Sequence, residues 1–242
     1  MIHGPGWLTV AVVAVVAVAA ALQALSGIGF ALVAGPLLIL ALGQSDGVRL
    51  TVTLGLLLNA MILAGTLRHT RWGDAARLFV PAALLVWPAA LVTGRLREDW
   101  VLAFAGVAVL AGVGLIVSGR RAHWVDRPAG AIAAGAAGGV LNVLAGVSGP
   151  PVALFVAHRA WAPRVSTATV QAYALPLNAV TLAVLGPPAG RPAQFLGAVL
   201  ALLVGAGVAW PFARRIGPGT VRALALAMAA VGAISLIARA LA

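Results

Sequence analysis

The sequence predicts an all-α polytopic membrane protein with two internal repeats. It should hold about 8 to 10 hydrophobic segments, with helices broken by Gly and Pro near the membrane midplane. Three observations predict this. First, the chain is 62% hydrophobic and 9% charged, with a mean hydropathy of +1.08, far from the roughly half-apolar, quarter-charged make-up of soluble domains. Second, runs such as Leu8 to Leu25, Leu50 to Leu67, Val101 to Val117, Val165 to Leu185 and Gln194 to Phe212 approach or reach the ~20 residues that span ~30 Å of hydrocarbon. Barrel strands would instead be ~10 residues long and alternate in polarity. Third, two apolar stretches are interrupted, at Ser26-Gly27-Ile28-Gly29 with Gly35-Pro36, and at Gly146-Val147-Ser148-Gly149-Pro150-Pro151. In hydrocarbon a broken helix persists only where it lines a cavity or is covered by protein.

The expected segments are 7–25, 28–42, 49–67, 78–94, 100–118, 129–145, 149–158, 164–185, 193–212 and 219–239. The first follows a stretch, Met1 to Trp7, without Arg or Lys and shows no clear cleavage site, so it reads as a retained helix rather than a signal peptide. Residues 7–42 as one straight helix would be ~54 Å long, well beyond the bilayer. The stretch must fold back, tilt strongly or break, and Gly27 and Gly29 are the obvious place. The longest charged connectors, Arg68 to Arg77 and Gly119 to Arg127, are only about ten residues, too short for a soluble domain. Residues 1–242 therefore form a single transmembrane domain.

The halves, about 7–118 and 129–240, carry matching marks. Pro36 and Pro151 are 115 residues apart, as are Arg49 and Arg164. Each Arg opens a Thr-rich apolar helix. Asn59 and Asn178 occupy similar places, about one helical turn out of register. Five segments per half would make the repeats inverted in the membrane, and four would make them parallel.

Arginine placement tests the number of crossings, because cytoplasmic loops collect Arg and Lys. With ten crossings, one side receives Arg68, Arg71, Arg77, Arg120, Arg121, Arg127, Arg159, Arg164, Arg214, Arg215 and Arg222, and the other only Arg49, Arg95, Arg97, Arg191 and Arg239. If 7–42 and 129–158 each cross once, the split becomes even. The bias favours ten crossings with both termini outside, although 149–158 is short for a full crossing. The net charge of +11 is thus a topology signal that also meets anionic headgroups, rather than a nucleic-acid footprint.

The chain has no cysteine, which excludes disulfides, thiol catalysis and Cys-ligated metals. His3, His69, His123 and His158 lack metal-site spacing. Asp46, Asp74, Glu98, Asp99 and Asp126 all fall in predicted connectors, which disfavours a proton or sodium pathway built on buried carboxylates. Most tryptophans lie near segment ends as interfacial anchors, with Trp87 deeper.

The second break has the chemistry of an anion site. Proline suits a first helical turn, so Pro150 and Pro151 mark the start of a short helix. A helix N-terminus carries roughly half a positive charge and unpaired N–H donors. Ser148 adds a hydroxyl, while Gly146 and Gly149 allow close backbone approach. Gly-Pro breaks also serve as plain packing kinks. Gln23, Ser26, Asn59, Asn142, Ser148, Gln171, Tyr173 and Asn178 lie in apolar segments, where interhelical hydrogen bonding competes with ligand contact as the explanation. Asn142 and Ser148 flank the break and are the polar residues most expected to touch a ligand.

The Gly-rich first segment ending in Gly35-Pro36-Leu37, the Gly43-to-Arg49 connector, the helix with Asn59, and the second copy with Gly138-Gly139, Gly146-Val147-Ser148-Gly149-Pro150-Pro151 and Arg164 resemble the sulfite exporter TauE/SafE family of membrane transporters. The likeness covers essentially the whole chain. It implies transport of small anions, such as sulfite or organosulfonates, across the bacterial inner membrane, without a bound cofactor. Its first repeat departs from the family's glycine cluster, with Phe30-Ala31-Leu32-Val33-Ala34 between Gly29 and Gly35.

The expected substrate-binding residues are Asn142, Gly146, Ser148, Gly149 and Pro150, together with Gly27, Gly29, Pro36, Asn59 and Asn178. The expected partners are a small inorganic or organosulfur anion and the lipid bilayer; assembly into a homo-oligomer stays open. Two rivals remain. A passive anion channel would use the same breaks without carrier kinetics. An intramembrane serine protease would use Gly146-Val147-Ser148-Gly149, but it needs a base within reach of the serine, and His158 lies ~15 Å along the helix.

Overall fold

The computed structural model describes residues 6–26, 29–118, 128–159, 161–190, 192–209 and 218–242. Every regular element among them is helical: α1 (Gly6–Ser26), α2 (Phe30–Leu42), α3 (Gln44–Thr66), α4 (Trp72–Thr93), α5 (Glu98–Ser118), α6 (Pro128–Ala145), α7 (Gly149–His158), α8 (Pro163–Leu185), α9 (Pro192–Ala209) and α10 (Pro218–Leu241). Each expected segment is therefore one helix. Seven are long and apolar enough to cross a membrane; α2, α6 and α7 are the shorter ones. The protein is a multi-pass membrane protein.

Three helices start clearly earlier than hydropathy predicts, α3 at Gln44 instead of 49, α4 at Trp72 instead of 78 and α5 at Glu98 instead of 100. As a result Asp46, Asp74, Glu98 and Asp99 lie in the first turns of α3, α4 and α5 rather than in connectors. The physical reason is the helix dipole, which favours carboxylates beside the unpaired N-terminal N–H groups. Asp74 is buried between Arg71 (2.8 Å) and Arg77 (3.4 Å), which tie down the start of α4. Asp126 lies outside the described residues.

Contacts between helix ends fix the direction of each helix. The Arg71 guanidinium lies 5.1 Å from the centre of the Trp161 ring, and the Arg71 N–H donates to Thr169 Oγ1 at 3.1 Å. These join the start of α4 to the start of α8. Arg222, at the start of α10, donates to the carbonyl of Ile116 near the end of α5 at 2.8 Å. This is the arginine-rich end. At the opposite end Arg239, late in α10, donates to the carbonyl of Leu40 in α2 at 2.9 Å. A cleft there brings Leu8 and Thr9 of α1 beside Leu42 and Asp46.

It follows that α1 and α2 form a hairpin that starts and finishes at the opposite end. By contrast α6 and α7 form one that starts and finishes at the arginine-rich end. Glycines let these hairpins pack closely on long helices. Cβ atoms on Gly135 and Gly139 of α6 would collide with the backbone of Leu78 and Ala82 in α4, and one on Gly205 of α9 with that of Ala17 in α1. Small residues four apart admit such backbone approach where no hydrophobic force drives helices together. The main pairings are α4 with α6, α1 with α9, α3 with α8 and α5 with α10. Trp7, Trp72 and Trp100 at helix ends are exposed, as interfacial anchors would be. Trp87 lies within α4 and is also exposed on the outer surface of the bundle.

Candidate functional site

The two breaks meet. Each contains a glycine at positive φ, Gly29 at 148° and Gly146 at 68°, a conformation that side-chain-bearing residues adopt only with strain. Gly146 ends α6 by donating its N–H to the Asn142 carbonyl at 2.9 Å. The chain then turns through Val147 and Ser148 into α7, with Pro150 and Pro151 in its first turn as expected. Gly29 precedes α2, whose first N–H, that of Phe30, donates to Gln23 Oε1 at 3.0 Å.

Both helix N-termini open onto one cavity of about 330 Å³ between α2, α3, α7 and α8. Of the sequence-predicted residues, Gly29, Asn59, Asn142, Gly146, Ser148, Gly149, Pro150 and Asn178 all line it. Gly27 lies outside the described residues. Pro36 is elsewhere: it is buried within α2 against Gly232 of α10 and does not line the cavity. Gly135 and Gly139 share a helical face with Asn142 by spacing, yet they serve packing on α4, while Asn142 turns to α8.

The polar lining is uncharged. Among the described residues no Asp, Glu, Arg, Lys or His side chain lines the cavity, and these residues hold no cluster of metal-ligating side chains. Asn142 Nδ2 donates to Asn178 Oδ1 at 3.0 Å and to Thr181 Oγ1 at 2.9 Å, which cross-links α6 to α8. Asn59 and Gln171, only 9% and 2% exposed, line the cavity, and neither side chain makes a hydrogen bond among the described residues. A buried amide left unpaired costs roughly 1–3 kcal/mol, so these two groups are suited to meet a ligand or water.

Sequence reasoning singled out Gln171 and Tyr173 as buried but did not place them at the site. Tyr173 is fully buried, with its hydroxyl beside Ser148 and in the space left by the absent side chain of Gly138. Thr51, also a lining residue, packs on Gly146. The usable signal for Gln171 and Tyr173 was their polarity within an apolar helix. Nothing local marked Thr51, whose hydroxyl donates to the Gly47 carbonyl at 2.7 Å as in any helix.

The cavity runs toward Ala157, Pro163 and Ser166, at the arginine-rich end. Beyond the breaks the other way, α2 and α6 are in contact. Gly35 leaves no room for a side chain beside the Ala145 carbonyl and Val147, and Gln44 Nε2 reaches the Leu144 carbonyl at 3.4 Å. A second cleft, of about 400 Å³, opens at the opposite end between Leu8, Val12, Leu50 and Phe195. It is mostly apolar, and among the described residues its one charged lining residue is Asp46.

A helical membrane protein with two broken hairpins around an uncharged polar cavity has the build of a transporter. The chain belongs to the sulfite exporter TauE/SafE family, whose model matches residues 12–236. Neither the curated proteins nor the solved structures contain a match to it.

Proposed function

We propose that this protein is a carrier for small anions, such as sulfite or organosulfonates, across the bacterial inner membrane, with the substrate held between the N-termini of α2 and α7. One observation carries the reading: two helix N-termini from hairpins of opposite direction open onto the same uncharged cavity. Each supplies roughly half a positive charge in a low-dielectric setting, where such partial charges act strongly. Gln23 already accepts the Phe30 N–H of α2, and Pro150 and Pro151 of α7 carry no N–H, so the donors are the other first-turn N–H groups, such as that of Gly149. Asn59, Ser148, Gln171 and Asn178 supply further donors.

Two features support a carrier over a channel. The cavity reaches one end of the bundle, and packed backbone between α2 and α6 closes the other. The pairings α4 with α6 and α1 with α9 also exchange under a swap of the first five helices for the last five, as two inverted five-helix repeats would require. Rocking one repeat against the other would move the closure to the other end.

The test is flux from proteoliposomes for sulfite, sulfate, thiosulfate and simple sulfonates. A carrier shows saturation and counterflow. Flux that rises linearly with concentration and shows no counterflow would establish the channel reading instead.

A further inference from the structure

Resting on that reading, we infer that the site selects singly charged anions with a compact apolar body over divalent inorganic oxyanions. The argument starts from charge. Among the described residues no ionised side chain lines the cavity, so the compensation they offer a bound anion is that of the two helix N-termini. At roughly half a charge each, they sum to about one. A monoanion is balanced, while the second charge of a dianion would have to be desolvated without a partner, which is costly in a low-dielectric interior.

Size and wall chemistry point the same way. The cavity of about 330 Å³ is in the range of sites for organic ligands, ~300–1,000 Å³, and a bare five-atom oxyanion such as sulfate leaves most of it empty. Its lining is divided by helix. The polar groups come from α1 (Gln23), α3, α6, α8 and the break, whereas the wall from α5 and α7 is hydrocarbon: Ile116, Pro150, Ala153 and Val156. An anionic head paired with the N-termini and an apolar body against this wall would satisfy both surfaces. Asn59 and Gln171, buried and without a side-chain hydrogen bond among the described residues, line the cavity and can turn an amide N–H toward the head.

Three permanently ionised probes separate these terms in proteoliposomes of the full-length protein: butanesulfonate, methanesulfonate and sulfate. The expected order of protein-dependent efflux is butanesulfonate above methanesulfonate, with sulfate at least tenfold slower than either. Ala153→Phe, which fills the apolar wall, should lower the ratio of butanesulfonate to methanesulfonate flux about fivefold. Sulfate moving as fast as methanesulfonate would overturn the inference while leaving anion transport standing. So would an Ala153→Phe protein with the parental flux ratio. Absence of protein-dependent flux for every anion would overturn the transport reading and this inference together.

Discussion

Gly146, at the end of α6, lies so close to α3 that a Cβ built on it would stand 3.0 Å from both Cβ and Cγ2 of Thr51. The contact ties the second break to the helix that carries Asn59. It also couples two demands at one residue, since Gly146 must hold φ 68° and must lack a side chain. Gly146→Ala should destabilise the protein by about 1–2 kcal/mol from the backbone alone, with a further loss from the clash. Thermal unfolding in detergent measures the sum. Adding Thr51→Ser, which removes Cγ2, should recover part of the clash and none of the backbone cost; full recovery would show that φ at 146 carries no strain.

Gly149 is the contrasting case. A Cβ there meets no atom within 4 Å, and its φ is not positive, so Gly149→Val should fold and insert normally. Its side chain would occupy the approach to the N-terminus of α7, and anion flux should fall to background. Ser148→Ala should weaken apparent affinity about fivefold, the equivalent of ~1 kcal/mol for one hydrogen bond. Ser148→Asp should abolish transport by charge repulsion. Parental flux in both Gly149→Val and Ser148→Asp would move the binding site away from the break.

The close packing of α6 on α4 predicts a steep and local cost. Gly139→Ala drives a methyl group into the backbone of Ala82 and should cost about 1–3 kcal/mol, as overpacking does. Gly207→Ala in α9 meets nothing within 4 Å and should be neutral or slightly stabilising. Comparing the unfolding temperatures of the two variants checks this. Equal shifts would mean that the α4–α6 contact is looser than the structure has it.

Orientation follows from the arginines. Arg68, Arg71, Arg77, Arg159, Arg164 and Arg222 lie toward one end of the bundle and Arg49, Arg95, Arg97 and Arg239 toward the other. Positive residues are retained in the cytoplasm, so the cavity mouth near Pro163 should face inward. Single cysteines introduced into this cysteine-free chain report it. At position 70 an impermeant external reagent should not react in intact cells, and at position 96 it should. The reverse pattern would invert the assignment.

The sequence by itself determined the class of protein and the places where its helices break. Hydropathy is a local property, and runs of ~20 apolar residues have few other fates; Gly146 and Pro150 likewise break a helix through their own backbone chemistry. First-turn carboxylates such as Asp46 and Asp74 escaped it, because hydropathy counts their charge but not the helix N-terminus they complement. Only the tertiary structure decided that α1–α2 and α6–α7 enter from opposite ends, that Gly29 and Gly146 flank one cavity, and that Asn59 and Gln171 share it while Pro36 turns to α10. Those relations depend on backbone contacts between residues far apart in the chain, such as Gly139 with Ala82 and Gly146 with Thr51. An uncharged glycine looks the same in a sequence whether it packs a helix or opens a site.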